Sequence, residues 1–116
     1  MLVLFTLKES TFTLEICQSQ CEINSYFAVI IYGGKVQWSQ WLDSLEVATQ
    51  RGTSMLKNIT LTDKCNTLAT KYFEESMYYE SMNEPVEAKF YLKKHFFYDR
   101  RFTARRDMGF WVEGGY

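Results

Sequence analysis

Three cysteines and the single histidine are the side chains of this sequence with the widest chemical capacity. Cys17 and Cys21 stand four positions apart, and Cys65 and His95 complete a set with the ligand count of a Cys3His zinc site. Structural zinc sites normally use the closer C-x2-C spacing, and small buried cysteines commonly serve as apolar core residues. We therefore expect no metal and no cofactor, with these four residues as a weak zinc alternative.

The sequence contains no local motif that is typical of a catalytic site. A histidine that activates a serine or cysteine nucleophile needs that partner beside it, and no nucleophile elbow surrounds any serine here. Glu74 and Glu75 are adjacent on a predicted helix, so their side chains diverge by about 100° and do not form a hydrolase pair. Gly33-Gly34 lacks the further glycine and the lysine of a phosphate loop. The sequence predicts a protein without catalytic activity.

A basic and aromatic segment is the strongest lead to a partner. Residues 86–106, VEAKFYLKKHFFYDRRFTARR, interleave six aromatic side chains with seven lysines and arginines. Cations neutralise phosphates and rings stack on unpaired bases, so this composition suits RNA or single-stranded DNA. The acidic isoelectric point, near 5.8, argues against a dedicated nucleic-acid-binding protein, which is usually strongly basic. Nucleic acid is therefore the alternative partner.

Charge is divided unevenly along the chain. Residues 1–88 hold 6 Lys or Arg against 11 Asp or Glu, whereas residues 89–116 hold 7 against 3. One explanation is that glutamates of the preceding helix, such as Glu74 and Glu80, pair with the basic segment. Exposed pairs of this kind contribute only about 0–1 kcal/mol each, although they would help to set the register of two packed helices.

Aromatic side chains are abundant in the whole chain, with 3 Trp, 8 Tyr and 9 Phe among 116 residues. A domain of this size cannot easily bury them all, and exposed clusters of such residues mark binding surfaces. We expect a protein-binding module, with self-association as a further alternative.

Small aromatic-rich domains are common among proteins that phages and mobile elements make to block a host machine, so we expect an inhibitor or small regulatory subunit. The residues predicted to bind are Arg100, Arg101, Arg105, Arg106, Lys93, Lys94, Tyr78, Tyr79, Tyr91 and Tyr98.

The elements that position these residues begin with four strands. Residues 2–7 form an apolar run, and residues 12–17 alternate between apolar and polar, which is the period of a half-buried strand. Residues 26–32 are apolar on both faces, which indicates a central strand. Gly33-Gly34 predicts a tight hairpin leading into residues 35–41.

A first helix is expected over residues 44–57. Asp43 and Glu46 have the spacing of a capping box at its start. Gly52 lies inside this helix at a cost of roughly 1 kcal/mol relative to alanine, and close approach to the sheet would explain it.

Two more helices are expected, one starting at Thr60 or Thr62 and one starting at Pro85, which favours a helix's first turn. The second contains Ala69-x-x-Tyr72 and the third contains Glu87-Ala88-x-x-Tyr91. This pair resembles one tetratricopeptide-like repeat over about thirty residues. Such repeats are stable only in stacks of about three, so the resemblance implies a helical hairpin and no more.

Together these patterns predict one α+β domain, an antiparallel β-meander of about four strands followed by three helices packed on one face. The meander occupies residues 1–41, the helices 43–106, and a tail or short strand 107–116.

No run approaches the roughly 20 apolar residues that span a bilayer, so we expect no membrane partner. The apolar start lacks a basic region and suits a strand better than a signal peptide. With three cysteines, one stays unpaired in any disulfide scheme, which favours the cytoplasm.

Overall fold

The computed structural model describes residues 2–112. Four strands are followed by two helices. The strands are β1 (Leu2–Glu9), β2 (Phe12–Gln18), β3 (Tyr26–Tyr32) and β4 (Lys35–Leu42), and the helices are α1 (Leu45–Ser81) and α2 (Pro85–Asp107). The described chain forms two compact units, here named the sheet unit (residues 2–60, 111 and 112) and the hairpin unit (Leu61–Phe110).

The sheet unit contains the predicted antiparallel meander, with the strands in the order β1-β2-β3-β4. Gly33 and Gly34 have φ angles of 57° and 78°, the positive values that a two-residue hairpin turn requires. Beyond this turn Ile31 lies opposite Val36 and Ile30 lies opposite Trp38. The residue between them on β4, Gln37, is therefore the extra residue of a β-bulge.

One face of the sheet packs against the first part of α1. Phe12, Leu14 and Ile30 from the strands share a buried cluster with Leu56 and other α1 residues. A Cβ atom at Gly52 would lie 2.8 Å from Cδ1 of Leu14. A side chain at position 52 would therefore have to displace Leu14, so helix and sheet approach closely here, as the sequence suggested for this glycine.

The structure has two helices and not the predicted three, because α1 continues through the expected break. The hydroxyl of Thr60 donates to the Leu56 carbonyl inside the helix at 2.7 Å, so it does not cap a new helix. Thr62 is fully buried, and residues 53–81 contain neither glycine nor proline to end the helix. At the start of α1, the Val47 N–H donates to the Ser44 hydroxyl at 3.1 Å, so the N-cap is Ser44 and not Asp43.

The end of the described chain covers the core of the sheet unit. Trp111 meets Phe12 edge to face, with 6.2 Å between ring centroids and 75° between planes. Residues 110–112 form no strand. Residues 113–116 of the predicted tail lie outside the described residues. All three tryptophans of the sequence, Trp38, Trp41 and Trp111, belong to this unit.

The hairpin unit joins the second part of α1 to α2 through a short turn. Asn83 takes a φ of 62° in this turn, and Pro85 occupies the first turn of α2. Two side chains donate across the hairpin to helix carbonyls: Ser76 to Ala88 at 2.8 Å, and His95 Nδ1 to Ala69 at 2.7 Å. Because a carbonyl oxygen only accepts, His95 carries a proton on Nδ1. These bonds fix the axial register of the two helices.

Neither helix of the described chain combines the length and the apolar character that crossing a membrane requires.

Candidate binding surface

Four tyrosines form a ladder inside the hairpin unit. Their rings alternate between the helices in the order Tyr98, Tyr72, Tyr91 and Tyr79, with centroid separations of 5.7, 6.1 and 5.3 Å. Interplanar angles of 19°, 18° and 6° make each contact a stacked one. The nearby Tyr91 hydroxyl, followed by burial, raises the pKa of Tyr79.

Cations lie over aromatic rings along α2. The Lys94 ammonium is 4.8 Å from the Phe90 centroid and 5.2 Å from the Tyr72 centroid. The Arg101 guanidinium is 4.6 Å from the centroid of Phe97. Such contacts are favourable by about 0.5–1 kcal/mol at exposed sites, because the ring face is electron-rich. The positive charges are thus held close to apolar surface.

The glutamates of α1 do not neutralise these charges. Within residues 2–112, Lys93, Lys94, Arg100 and Arg101 form no ion pair within 4 Å. Arg106 lies 3.7 Å from its neighbour Asp107. The interhelical pairs that the charge distribution suggested are absent for these four residues, so their charges remain available to a partner.

An open groove of about 520 Å³ collects three of these cations beside two phenylalanines. Phe96 and Phe97 are 49% and 52% exposed. Spacings of three and four residues bring side chains to one helix face, and these positions follow that spacing. We name this surface the α2 groove and define it by Lys93, Phe96, Phe97, Arg100 and Arg101.

Further apolar side chains extend this exposed surface. His95 lies between two phenylalanines, with ring centroids 5.1 Å from Phe73 and 5.2 Å from Phe96. Phe73 is half-exposed, and so is Met77 one turn further along α1. The individual binding residues predicted from the sequence did not include Phe73, Phe96 or Phe97, although Phe96 and Phe97 belong to the predicted basic and aromatic segment. The sequence did carry a signal for Phe96 and Phe97: adjacent helix residues point in different directions, so one inward-facing side of the helix cannot bury both rings.

The predicted binding residues occupy several settings, and two of them have been described above: Lys94 over the Phe90 and Tyr72 rings, and Arg106 beside Asp107. Lys93, Arg100 and Arg101 lie together in the α2 groove. Arg105 is half-buried, and its Nε donates a hydrogen bond to the Thr62 hydroxyl at 3.0 Å. This hydrogen bond joins α2 to α1 within the hairpin unit. Tyr78 is exposed, with its ring edge-on to Tyr79. The remaining predicted tyrosines, Tyr79, Tyr91 and Tyr98, belong to the ladder.

The candidate zinc ligands have separate environments. Cys17 is buried, and burial followed by the nearby Glu15 carboxylate raises the pKa of its thiol. Cys21 is exposed and Cys65 is half-buried, and all three thiols are free. Across residues 2–112, no three His, Cys, Asp or Glu side chains are grouped so that they could hold a metal ion.

Comparison of the chain with protein-family models, with curated proteins and with solved structures gave no match.

Proposed function

We propose that this chain is a non-catalytic protein-binding module that docks the α2 groove onto an acidic and apolar surface of another protein. The observation that supports this most directly is the half-exposure of Phe96 and Phe97 between three cations that form no ion pair with any described residue. Aromatic and arginine side chains are the types that dominate binding energy at protein interfaces.

The two residue types have different parts in this docking. Complete burial of a phenylalanine stabilises a complex by about 1.5–3 kcal/mol, so the half-exposed pair supplies a substantial apolar contribution. The cations contribute mainly to association rate and orientation, because they attract an acidic partner before contact. A partner surface with carboxylates around an apolar centre would complement both.

Nucleic acid is the second candidate, favoured by the density of cations beside rings on α2. Stacking on bases requires open ring faces. Lys94 and Arg101 each cover a ring face, on Phe90 and Phe97, and the ladder tyrosines stack on one another. A base would have to displace these contacts or use the opposite faces. This competition is why we rank protein docking first.

The form of action that we propose is that of a small inhibitor or regulatory subunit in the cytoplasm. Such proteins act by occupying a surface and need no cofactor. Three free thiols fit a reducing compartment.

Affinity purification of the tagged chain from source cells, with and without nuclease, tests this proposal. One stoichiometric protein should survive nuclease, and its Kd for the purified chain should rise at least about tenfold for Phe96→Ala/Phe97→Ala, which corresponds to 1.4 kcal/mol. Met82→Ala removes an exposed apolar side chain outside the groove and is the matched control.

Salt dependence separates the two candidates. Protein docking predicts a modest loss of affinity at higher salt, whereas phosphate binding predicts a steep one. Recovery of nucleic acid alone, abolished by Arg100→Glu/Arg101→Glu, would overturn the protein-binding proposal. So would a protein partner whose affinity is the same for Phe96→Ala/Phe97→Ala and for the control.

A further inference from the structure

We propose that β1 is a homodimer interface, at which two copies of this chain pair β1 to β1 in antiparallel fashion and join their four-stranded sheets into one continuous sheet. The proposal concerns the sheet unit and is independent of the α2 groove. Its occupant is a second copy of this chain, and three observations about β1 support that choice.

The first observation is an unpaired apolar edge. β1 pairs with β2 on one side, and among the described residues no backbone group forms a hydrogen bond with its other edge. Its apolar side chains are unusually exposed to solvent: Leu2 is 58% exposed and Val3 is 49% exposed. Charges, proline and bulges commonly protect the edge strands of monomeric proteins, and residues 2–7 contain a bulge but no charge and no proline.

The second observation is that the bulge in β1 sets which residues of two copies can lie opposite each other on one sheet face. The register shifts between Val3 and Phe5. As a result Leu2 lies opposite Gln18 of β2, and Leu7 lies opposite Leu14. Gln18 and Leu14 are on the same face of the sheet, so Leu2 and Leu7 also share that face. Without the bulge, residues 2 and 7 would fall on opposite faces, because successive side chains alternate.

The same shift aligns the other sheet face. Val3 and Thr6 lie opposite Cys17 and Glu15, which share that face. Antiparallel pairing can therefore place Leu2 opposite Leu7 of the partner subunit and Val3 opposite Thr6 of the partner subunit. Each pair has both side chains on one face and occurs twice about the two-fold axis. Directly opposed apolar and β-branched side chains are the pairs that stabilise sheets.

The third observation concerns charge. Lys8 and Glu9 follow the apolar run at one end of β1. Antiparallel pairing places the two copies of this charged end at opposite ends of the interface, where they stay in water. Parallel pairing would place Lys8 beside Lys8 of the partner subunit, which is repulsive. The antiparallel arrangement is also closed by its two-fold symmetry, so it gives a dimer and not a fibre.

Sedimentation equilibrium of the full chain over a range of concentrations is the test. The interface is small, so we expect a reversible dimer with a Kd that is roughly micromolar. Val3→Lys/Thr6→Lys places lysines opposite lysines and should raise the dimer Kd at least about tenfold. Val3→Glu/Thr6→Glu should do the same. An equimolar mixture of the two variants should restore a dimer, which also shows that both variants are folded.

Met82→Lys/Val86→Lys adds the same charge at exposed apolar positions of the hairpin unit, and this control should dimerise like the unaltered chain. A monomeric unaltered chain would overturn the proposal. A dimer that both charge variants retain, or a mixture that stays monomeric although each variant shows the strand dichroism of the unaltered chain, would overturn it too. None of these results bears on binding by Phe96 and Phe97, so the two proposals fail separately.

Discussion

Tyr79 on α1 and Tyr91 on α2 stack almost parallel, with 5.3 Å between ring centroids and 6° between ring planes. Tyr91 also stacks on Tyr72, so its ring lies between two rings of the opposite helix. Tyr91→Ala should therefore reduce the free energy of unfolding of the hairpin unit by about 2–3 kcal/mol, less than for a fully buried aromatic residue. Urea unfolding followed by tyrosine dichroism measures this loss.

Two controls separate stacking from other effects of that substitution. Tyr91→Phe keeps the ring and should cost less than about 1 kcal/mol. Tyr78→Ala removes an exposed ring of the same type and should cost a similarly small amount, about 0.5 kcal/mol. Equal losses for Tyr91→Ala and Tyr78→Ala would show that the ladder does not stabilise the hairpin.

Gly52→Ala should destabilise the sheet unit although alanine is the better helix former. The helical preference favours alanine by about 1 kcal/mol, whereas the added methyl must displace fully buried Leu14 at a cost of about 1–3 kcal/mol. We expect a net loss of about 1 kcal/mol in thermal or urea unfolding. Ser54→Ala, at an exposed position of the same helix, should instead be neutral or slightly stabilising. A stabilised Gly52→Ala variant would contradict the close approach.

Asp63→Asn should raise stability at neutral pH. Burial raises the pKa of this carboxyl in the folded protein, so the folded state binds the proton more tightly than the unfolded chain does. Stability therefore falls as pH rises from about 4 through the folded pKa, and asparagine removes that fall. Because Asp63 is partly exposed, we expect a gain below about 1 kcal/mol at pH 7 that vanishes below about pH 4.

Unfolding curves of both proteins across this pH range provide the measurement. Glu74→Gln, at an exposed position of the same helix, should show no comparable gain with rising pH. A gain for Asp63→Asn that is constant with pH would mean that its cause is not the titration of this carboxyl.

Gln37→Met should stabilise the sheet unit by about 1 kcal/mol, because it removes a buried polar atom that lacks a partner. The side chain is almost fully buried at the β4 bulge, and its Oε1 accepts no hydrogen bond from the described residues. Methionine has a similar length and no acceptor to satisfy. Gln40→Met, at a half-buried site on the same strand, should change stability by less. A large loss for Gln37→Met would show that the amide has a structural partner.

The strands were predictable from sequence because their signals are local. Period-two alternation over residues 12–17 and the glycine pair at 33 and 34 depend only on neighbours in the chain, and both appear as expected. The continuity of α1 was not predictable in this way. A threonine hydroxyl can cap a new helix or donate to the carbonyl four residues earlier, and at Thr60 the second use occurs. Nothing in the local sequence distinguishes the two.

The candidate surface was predictable in its charges and not in its rings. Lys93, Arg100 and Arg101 lie together because helical spacing alone brings them to one face. Tyr91 and Phe97 could not be separated by spacing, since α2 carries aromatic residues around most of its circumference. The partner helix decides which rings become buried, and it selects Tyr91 by stacking Tyr72 and Tyr79 against it.

The distribution of ring types gives the molecule two separate optical reporters. Every tryptophan belongs to the sheet unit, so fluorescence excited at the red edge of the absorption band follows that unit alone. The stacked phenols belong to the hairpin unit, and their coupled transitions should give it a distinct near-ultraviolet dichroism band. Superimposable melting curves at the two wavelengths would mean a single cooperative transition, and displaced curves would reveal an intermediate without any label.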